Sequence, residues 1–110
     1  MQIPAQEAII AREKLTQYLL VPRLEDDKSK FLAQGGFTLE NPDDLEGAIR
    51  SLPENHDTVP DRSNEYGDYY GVVGSLVGVN GRILNVVTVW IVRLNSDGKF
   101  RFVTLHPSKD

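Results

Sequence analysis

The chain has 110 residues, a formal net charge of −4 and no cysteine. A chain of this length buries roughly 60–70% of its unfolded surface, so we expect one domain with its own core over residues 1–110. The absence of cysteine excludes a disulfide scaffold, a thiolate zinc site and a cysteine nucleophile, and two histidines are too few for a His-rich metal site. No apolar run approaches the roughly 18 residues of a membrane span, and no signal-like segment opens the chain, which predicts a cytoplasmic protein without a membrane segment. The acidic total disfavours a simple nucleic-acid-binding protein.

The first third of the sequence predicts a short apolar segment and two helices. Ala8–Ile10 predicts either an edge strand or the lead-in to a helix. Residues 11–20 carry apolar side chains at helical spacing, which predicts the first helix. A second helix begins at Asp26 or Asp27, because a carboxylate there accepts the free N–H groups of the first turn. It ends at Gly35-Gly36, where glycine adopts the left-handed C-cap without strain.

The third helix has the clearest end signals. Asn41 is a preferred N-cap, Pro42 suits the first helical position, and Pro53 ends the helix. Its apolar stripe lies at i, i+3, i+4 and i+7 and consists of Leu45, Ala48, Ile49 and Leu52. Residues 53–65 are polar and contain two prolines, which predicts a mobile loop.

In the second half of the chain the pattern becomes β-like. Residues 69–77, 82–94 and 99–106 predict three antiparallel strands. Asn80-Gly81 predicts a two-residue type I′ hairpin turn between the first two strands, and residues 95–98 form the second turn. The predicted fold class is therefore α+β, with N-terminal helices packed on a C-terminal antiparallel β-meander of three or more strands.

A two-residue turn determines which side chains share a face of this meander, because it places Val77 opposite Leu84. If the second loop has two or four residues, the first face carries Val73, Val77, Leu84, Val86, Thr88, Trp90, Val92, Arg101, Val103 and Leu105. The second face then carries Tyr70, Val72, Leu76, Asn85, Val87, Val89, Ile91, Arg93, Phe100, Phe102, Thr104 and His106. A base, a hydroxyl and a permanent cation thus share the second face, in His106, Thr104 and Arg93. A purely structural explanation is also open, since Thr104 is a good strand former and His106 stands at a strand end.

The charge is unevenly distributed along the sequence. Residues 1–65 have a net charge of −6, and residues 66–110 have a net charge of +2. The acidic part is typical of a solvated surface, whereas the second half offers a site for an anion. Tyr66, Tyr69 and Tyr70 cluster three phenols there, and such phenols either pack in a core or stack on a base and donate to a phosphate.

An ordered set of motifs covers nearly the whole chain. It consists of Glu13-Lys14-Leu15-Thr16-x-Tyr18-Leu19-Leu20-x-Pro22, Lys28-Ser29-Lys30-Phe31 with Gly36-Phe37, Tyr66-Gly67-x-x-Tyr70, Asn80-Gly81-Arg82 with Thr88-Val89-Trp90-Ile91-Val92, and Val103-Thr104-x-x-Pro107. This set resembles an uncharacterised family of small bacterial domains that occur alone, beside a small partner gene, or at the ends of toxin-like and phage-associated proteins. Helices followed by an antiparallel meander that ends in a Thr…Pro strand also resemble the barnase, EndoU, colicin and RelE-like ribonucleases.

The resemblance implies a metal-independent, ribonuclease-like toxin domain that cleaves RNA by attack of the 2′-hydroxyl, with no cofactor. Such chemistry needs a base, an acid and cations for the phosphate. The residues implied as catalytic are His106, Lys30, Tyr66 and Thr104. The residues implied as phosphate-binding are Lys28 and Arg93. The chain departs from the family pattern in two places: it has no basic residue at Asp68-Tyr69, and it has a histidine rather than an aromatic residue at position 106.

Two other functions stay open from the sequence. One is a non-enzymatic protein-binding module, such as an antitoxin, immunity or adaptor protein, which the acidic first half suits because immunity proteins often mimic nucleic acid with carboxylates. The other is a fold that has lost its catalytic residues. The partners expected are an RNA substrate, a cognate antitoxin or immunity protein, and a second copy of the chain paired through an edge strand of the meander.

Overall fold

Three helices occupy the first half of the chain in the computed structural model, which describes residues 2–25 and 27–108. The helix predicted over residues 11–20 consists of one α-helical turn followed by one π-helical turn, and a 3₁₀ turn, Ala5–Glu7, precedes it. The helices are α1, Arg12–Lys14 with its π-helical continuation Leu15–Leu19, then α2, Ser29–Ala33, and α3, Pro42–Asn55. Within the described ranges, no helix has the length and apolar composition needed to cross a membrane.

Local hydrogen bonds stabilise the ends of α2 and α3. The Asp27 carboxylate accepts the hydroxyl and the backbone N–H of Ser29 at 2.6 and 2.8 Å, and these two bonds hold the pKa of Asp27 below its usual value. Asp26, the alternative start of this helix, lies outside the described residues. Gly36 has a φ of 84° and supplies the predicted left-handed turn after α2. Asn41 is the N-cap residue of α3, but its side-chain oxygen accepts a backbone N–H of the preceding turn, at 2.7 Å, instead of one from the helix.

A five-stranded sheet accounts for most of the second half of the chain. Its strands are β1, Ala8–Ile9, β2, Val59–Asn64, β3, Gly67–Val77, β4, Ile83–Arg93, and β5, Phe100–Pro107. The order across the sheet is β1-β5-β4-β3-β2, and every pair is antiparallel except the parallel pair of β1 and β5. The predicted α+β class, with N-terminal helices and a C-terminal meander, is confirmed.

The mobile loop predicted for residues 53–65 is wrong. Helix α3 continues past Pro53 for one more half-turn, and β2 then pairs with β3. Pro53 removes one helical hydrogen bond, but it lies buried in the last turn, where few further bonds depend on it. All residues of β2 are exposed, because an edge strand needs no apolar alternation and tolerates Pro60. The sequence of β2 therefore lacks the apolar alternation from which a strand is predicted.

The turn between β3 and β4 also differs from the prediction. Its loop is Val79–Gly81, one residue longer than expected. The Gly81 N–H donates to the Gly78 carbonyl at 3.0 Å, and the Gly78 N–H donates to the Arg82 carbonyl at 2.7 Å. Gly81 has a φ of 86°, whereas Asn80 lacks the positive φ that a type I′ turn requires. The loop is therefore a type I turn followed by a glycine bulge.

The extra loop residue shifts the register of β3 against β4 by one position. Leu76, not Val77, lies opposite Leu84, so the predicted pairing is wrong. A shift of one residue moves the side chains of β3 to the opposite face. The Asn80 side chain stabilises the longer loop by donating to the Gln34 carbonyl at 3.0 Å, a contact that no local pattern reveals.

The helices cover one face of the sheet, and the core lies between them. The buried sheet residues include Val72, Leu76, Leu84, Val86, Thr88, Trp90, Phe102 and Leu105. The Thr88 hydroxyl donates to the Val72 carbonyl at 3.2 Å and accepts the Trp90 indole N–H at 2.9 Å, so these buried polar groups are satisfied. A bulge in β5 places Phe102 opposite Trp90 and Thr104 opposite Val89. Among the described residues, no helix packs on the other face, which we call the open face.

The edges of the sheet are β1 and β2. β2 pairs with the strand predicted at residues 69–77, whereas β1 pairs with the strand predicted at residues 99–106 only at Phe100 and Arg101. The pairing of two copies through an edge strand stays a prediction.

Candidate functional site

The predicted site residues lie in separate places on the fold. Arg93 pairs with Gly67 at one end of β4, whereas His106 lies opposite Val87. The distance along β4 from Val87 to Arg93 is about 20 Å. The register leaves Arg93, Thr104 and His106 on the open face, but it does not bring Arg93 and His106 into one site.

Lys30 lies in a different cavity. It is exposed on α2 and lines a cavity of about 370 Å³ beside the segment Phe37–Glu40. Lys30 shares this cavity with none of His106, Tyr66 and Thr104.

Tyr66 and Arg93 come together in a pocket of about 360 Å³, which we call the basic-phenol pocket. Its polar lining consists of Lys14, Tyr66, Tyr69, Arg93 and Arg101, and its apolar lining of Ile91, Phe102 and Val103. Cations bind anions such as phosphate, and phenol rings stack on planar groups or donate hydrogen bonds. The pocket is therefore suited to a ligand that combines a negative charge with a flat ring.

Pairing across three strands builds this pocket. Gly67 lies opposite Arg93, and Tyr69 lies opposite Ile91, which in turn lies opposite Arg101. Gly67 has a φ of 154°, and a Cβ there would lie 2.2 Å from a carbonyl oxygen of β4, so glycine is required. The position beside Arg93 thus carries no side chain, because the β4 backbone occupies the place that a Cβ would take.

The turn between β2 and β3 positions Tyr66. Its backbone N–H donates to the Asn64 side-chain oxygen at 2.8 Å, and its carbonyl accepts the Leu94 N–H at 3.1 Å. The Tyr66 side chain is 65% exposed, so its hydroxyl is accessible to a ligand.

The pocket has an excess of positive charge. Arg101 forms an ion pair with Asp97 at 3.1 Å, and the same carboxylate accepts the Lys99 backbone N–H at 3.0 Å. The Lys99 hydrogen bond, and after it the charge of Arg101, hold the pKa of Asp97 below its usual value. Within the described part of the chain, no carboxylate forms an ion pair with Lys14 or Arg93. Positive charge is therefore available to an incoming anion.

Two predicted site residues, Lys28 and Thr104, meet at β5 with Tyr18 of the first motif. The Tyr18 hydroxyl lies 3.1 Å from the Thr104 hydroxyl, and the Lys28 ammonium group donates to the Leu105 carbonyl at 2.8 Å. The Arg23 guanidinium lies 5.1 Å from the centre of the Tyr18 ring. We call Tyr18, Lys28 and Thr104 the β5 cluster. Each comes from a different motif of the sequence, and the fold brings the three motifs together.

The β5 cluster adjoins the basic-phenol pocket. Val103, which lines the pocket, directly precedes Thr104, and Lys14 lies about one helical turn before Tyr18. Pocket and cluster together form a strip beside β5 that carries cations along its length.

His106 has a mainly apolar environment. It is exposed, its Nδ1 lies 3.3 Å from the Pro107 carbonyl oxygen, and with Asp61 it lines a cavity of about 320 Å³. It follows Thr104 by two residues on one strand, a separation of about 7 Å, so it is nearer the β5 cluster than the basic-phenol pocket. No group of three or more His, Asp or Glu side chains in residues 2–25 and 27–108 is arranged to hold a metal ion.

Three polar residues of the basic-phenol pocket were not predicted as site residues. Tyr69 was recognisable as a candidate from the sequence, because it belongs to the cluster of three phenols. Lys14 belongs to the acidic half of the chain and occurs in the first motif of the sequence, where it was given no site role. Arg101 was assigned to the opposite face, because the β5 bulge that places it opposite Ile91 has no signal in the local pattern.

Comparison with known proteins identifies the family and a similar fold. The family described as a domain of unknown function (DUF6883) matches residues 3–109, so the chain belongs to this family. The fold is similar to that of one chain in a contact-dependent growth inhibition toxin–immunity protein complex from Klebsiella pneumoniae 342. The TM-score is 0.71 at 14% sequence identity, and the match covers 96% of this chain and 97% of the other. No curated protein matches the sequence.

Proposed function

We propose that this member of the DUF6883 family is a ribonuclease-like toxin domain whose basic-phenol pocket holds a phosphate of an RNA chain. The observation that carries the proposal is the convergence of Lys14, Arg93 and Arg101 with two phenols around one cavity. The fold shared with a chain of a toxin–immunity complex supports a toxin-related role. The net charge of −4 does not oppose RNA binding, because the local field at the pocket governs the encounter with an anion.

Metal-independent cleavage of RNA uses the ribose 2′-hydroxyl as the nucleophile. Its oxygen attacks the adjacent phosphorus, the bond from phosphorus to the 5′-oxygen breaks, and a 2′,3′-cyclic phosphate and a 5′-hydroxyl are formed. A base takes the proton of the 2′-hydroxyl, and an acid protonates the leaving oxygen. Guanidinium groups stabilise the charge that develops on the phosphoryl oxygens, and Arg93 and Arg101 suit this role.

The proton-transfer roles are proposed for residues along the strip beside β5. Tyr66 offers an exposed hydroxyl at the pocket, and Thr104 offers a hydroxyl in the β5 cluster. His106 lies about 20 Å from Arg93 along β4, so its imidazole is proposed to act on a part of the RNA away from this phosphate. Lys28 is proposed to hold the RNA backbone beyond the scissile phosphate, and Lys30, in its separate cavity, to contact a more distant part of the substrate.

The proposal is tested by incubating the purified protein with total RNA over a range of pH. We expect Arg93→Ala and Arg101→Ala each to reduce cleavage about tenfold or more, because each removes charge-assisted hydrogen bonds of about 1.5–3 kcal/mol. Arg82→Ala is the matched control, since Arg82 is an exposed arginine of the β3–β4 turn and does not line the pocket. Expression of the wild type should arrest bacterial growth, and Arg93→Ala should relieve the arrest. Intact RNA at every pH, with a folded wild-type protein, would contradict the proposal.

A non-enzymatic immunity or adaptor protein is the second candidate. It is favoured by apolar side chains that are each more than half exposed on or beside the open face, namely Val59, Val73, Val77 and Ile83. The similar fold comes from a complex of a toxin with its immunity protein, and it supports either role. Cells that tolerate the wild type, together with co-purification of a toxic neighbouring gene product that this protein neutralises, would favour the second candidate.

A further inference from the structure

Tyr69 forms a wall between two cavities. Its ring lines the basic-phenol pocket and also a cavity of about 250 Å³ on the side of β2. Arg62 lines only the second cavity, and its guanidinium carbon lies 4.2 Å from the centre of the Tyr69 ring. The guanidinium thus lies over the Tyr69 ring from the side of the second cavity, while Tyr69 also borders the basic-phenol pocket with Arg93 and Arg101.

The sheet surface around Tyr69 is free of neighbouring side chains along its own strand. The residues two positions before and after it, which share its face of β3, are Gly67 and Gly71. A planar group can therefore lie against the Tyr69 ring without displacing a side chain of β3.

The bulge in β2 positions Arg62 behind this ring. The register of β2 against β3 shifts between Pro60 and Ser63, which places Arg62 within the irregular segment. The Ser63 hydroxyl donates to the Asp68 carboxylate at 2.7 Å and connects the segment to β3 beside Tyr69. A ring held in one orientation loses less conformational entropy when a ligand binds.

We infer that Tyr69, backed by Arg62, is the stacking platform for one unpaired nucleobase next to the phosphate held by Arg93 and Arg101. This inference rests on the proposed function and adds that the pocket takes a single-stranded ligand. A base within a duplex is already stacked on both sides, so it cannot reach the Tyr69 ring without being extruded. Stacking on an aromatic side chain tolerates any base, because every base has a flat π-face.

The inference is tested by fluorescence anisotropy with labelled 2′-O-methyl hexanucleotides, which cannot be cleaved because their nucleophile is blocked. The probes are a single strand with bases, an abasic strand with the same phosphates, and a duplex. We expect the wild type to bind the strand with bases about five- to hundredfold more tightly than the abasic strand. Tyr69→Leu should bind the strand with bases no more tightly than the abasic strand. Tyr69→Phe keeps the ring and should keep the wild-type affinity.

The outcomes separate this inference from the proposed function. Arg93→Ala should weaken the binding of all three probes, because it removes a phosphate contact. If Tyr69→Leu binds the strand with bases as tightly as the wild type, or if the duplex binds as tightly as that strand, the stacking platform is wrong while the phosphate pocket stands. If the folded wild type binds none of the probes, the proposed function and this inference are both overturned.

Discussion

At the scale of single residues, Asp97 restrains one of the three cations of the basic-phenol pocket. It holds the Arg101 guanidinium at 3.1 Å, and its second interaction, with the Lys99 N–H, belongs to the turn between β4 and β5. Lys14 and Arg93 have no such carboxylate partner within the ranges the structure covers. A phosphate that enters the pocket therefore competes with a carboxylate, that of Asp97, at Arg101 but not at Lys14 or Arg93.

The lowered pKa of Asp97 predicts how this residue affects stability with pH. The carboxylate stabilises the folded protein above its unfolded pKa of about 3.9, and the contribution is lost as the pH falls through the lower folded value. Asp97→Asn should therefore lower the urea midpoint at pH 7 and change it little at pH 2. Urea unfolding of both proteins at the two pH values measures this. Asp44→Asn is the control, since Asp44 is an exposed acid of α3, away from the turn that holds Asp97. An equal effect of Asp97→Asn at both pH values would contradict the prediction.

At the scale of elements, the loop between β3 and β4 decides which side chains share a face. Asn-Gly occurs both in two-residue type I′ turns and in longer loops with a glycine bulge, so the dipeptide by itself does not distinguish them. The contact from Asn80 to the Gln34 carbonyl belongs to the longer loop. Gly81 then takes the left-handed conformation alone.

Alanine substitutions at two glycines in open space test the effect of backbone conformation separately from that of packing. A Cβ at Gly81 or at Gly47 would have no atom within 4 Å, but Gly81 has a φ of 86° and Gly47 lies within α3. Gly81→Ala should lower the free energy of unfolding by about 1–2 kcal/mol, because a Cβ strains the left-handed conformation. Gly47→Ala should raise it by about 0.5–1 kcal/mol, because alanine is the better helix former. Urea unfolding measures both, and effects of the same sign would show that the loop conformation is not as described.

At the scale of the whole molecule, the core is one-sided. The helices cover one face of the sheet, and the open face carries Arg93 and Arg101 of the basic-phenol pocket. Lys14 joins this pocket from the acidic half of the sequence, so the division of charge in space differs from the division along the chain. A net charge of −4 thus coexists with a positively charged site.

Two adjacent residues of β3 test the one-sided core. Leu76 is fully buried, whereas Val77 is 62% exposed on the open face. Leu76→Ala should lower the free energy of unfolding by about 2–5 kcal/mol, because it leaves a cavity in the core. Val77→Ala should change it by less than about 0.5 kcal/mol. The register expected from a two-residue turn requires the reverse order, so chemical denaturation of the two variants distinguishes the registers.

The sequence by itself determined the α+β class, the left-handed turn at Gly36, the start of α3 at Pro42 and the strands within the last half of the chain. These features depend on the backbone preferences and periodicity of neighbouring residues, and a linear pattern contains both. The candidate site was predictable only in part, as Tyr66 and Arg93.

Only the tertiary structure decided the register of β3, the bulge in β5, the pairing of β2, and the meeting of Lys14, Tyr69 and Arg101 with Arg93. Each depends on a contact between residues far apart in the chain, as between Asn80 and Gln34. Because side chains alternate across a strand, one such contact shifts a register by one residue and changes which side chains share a surface. The sequence thus supplies the residue types of the site, but contacts between residues far apart in the chain decide how they assemble.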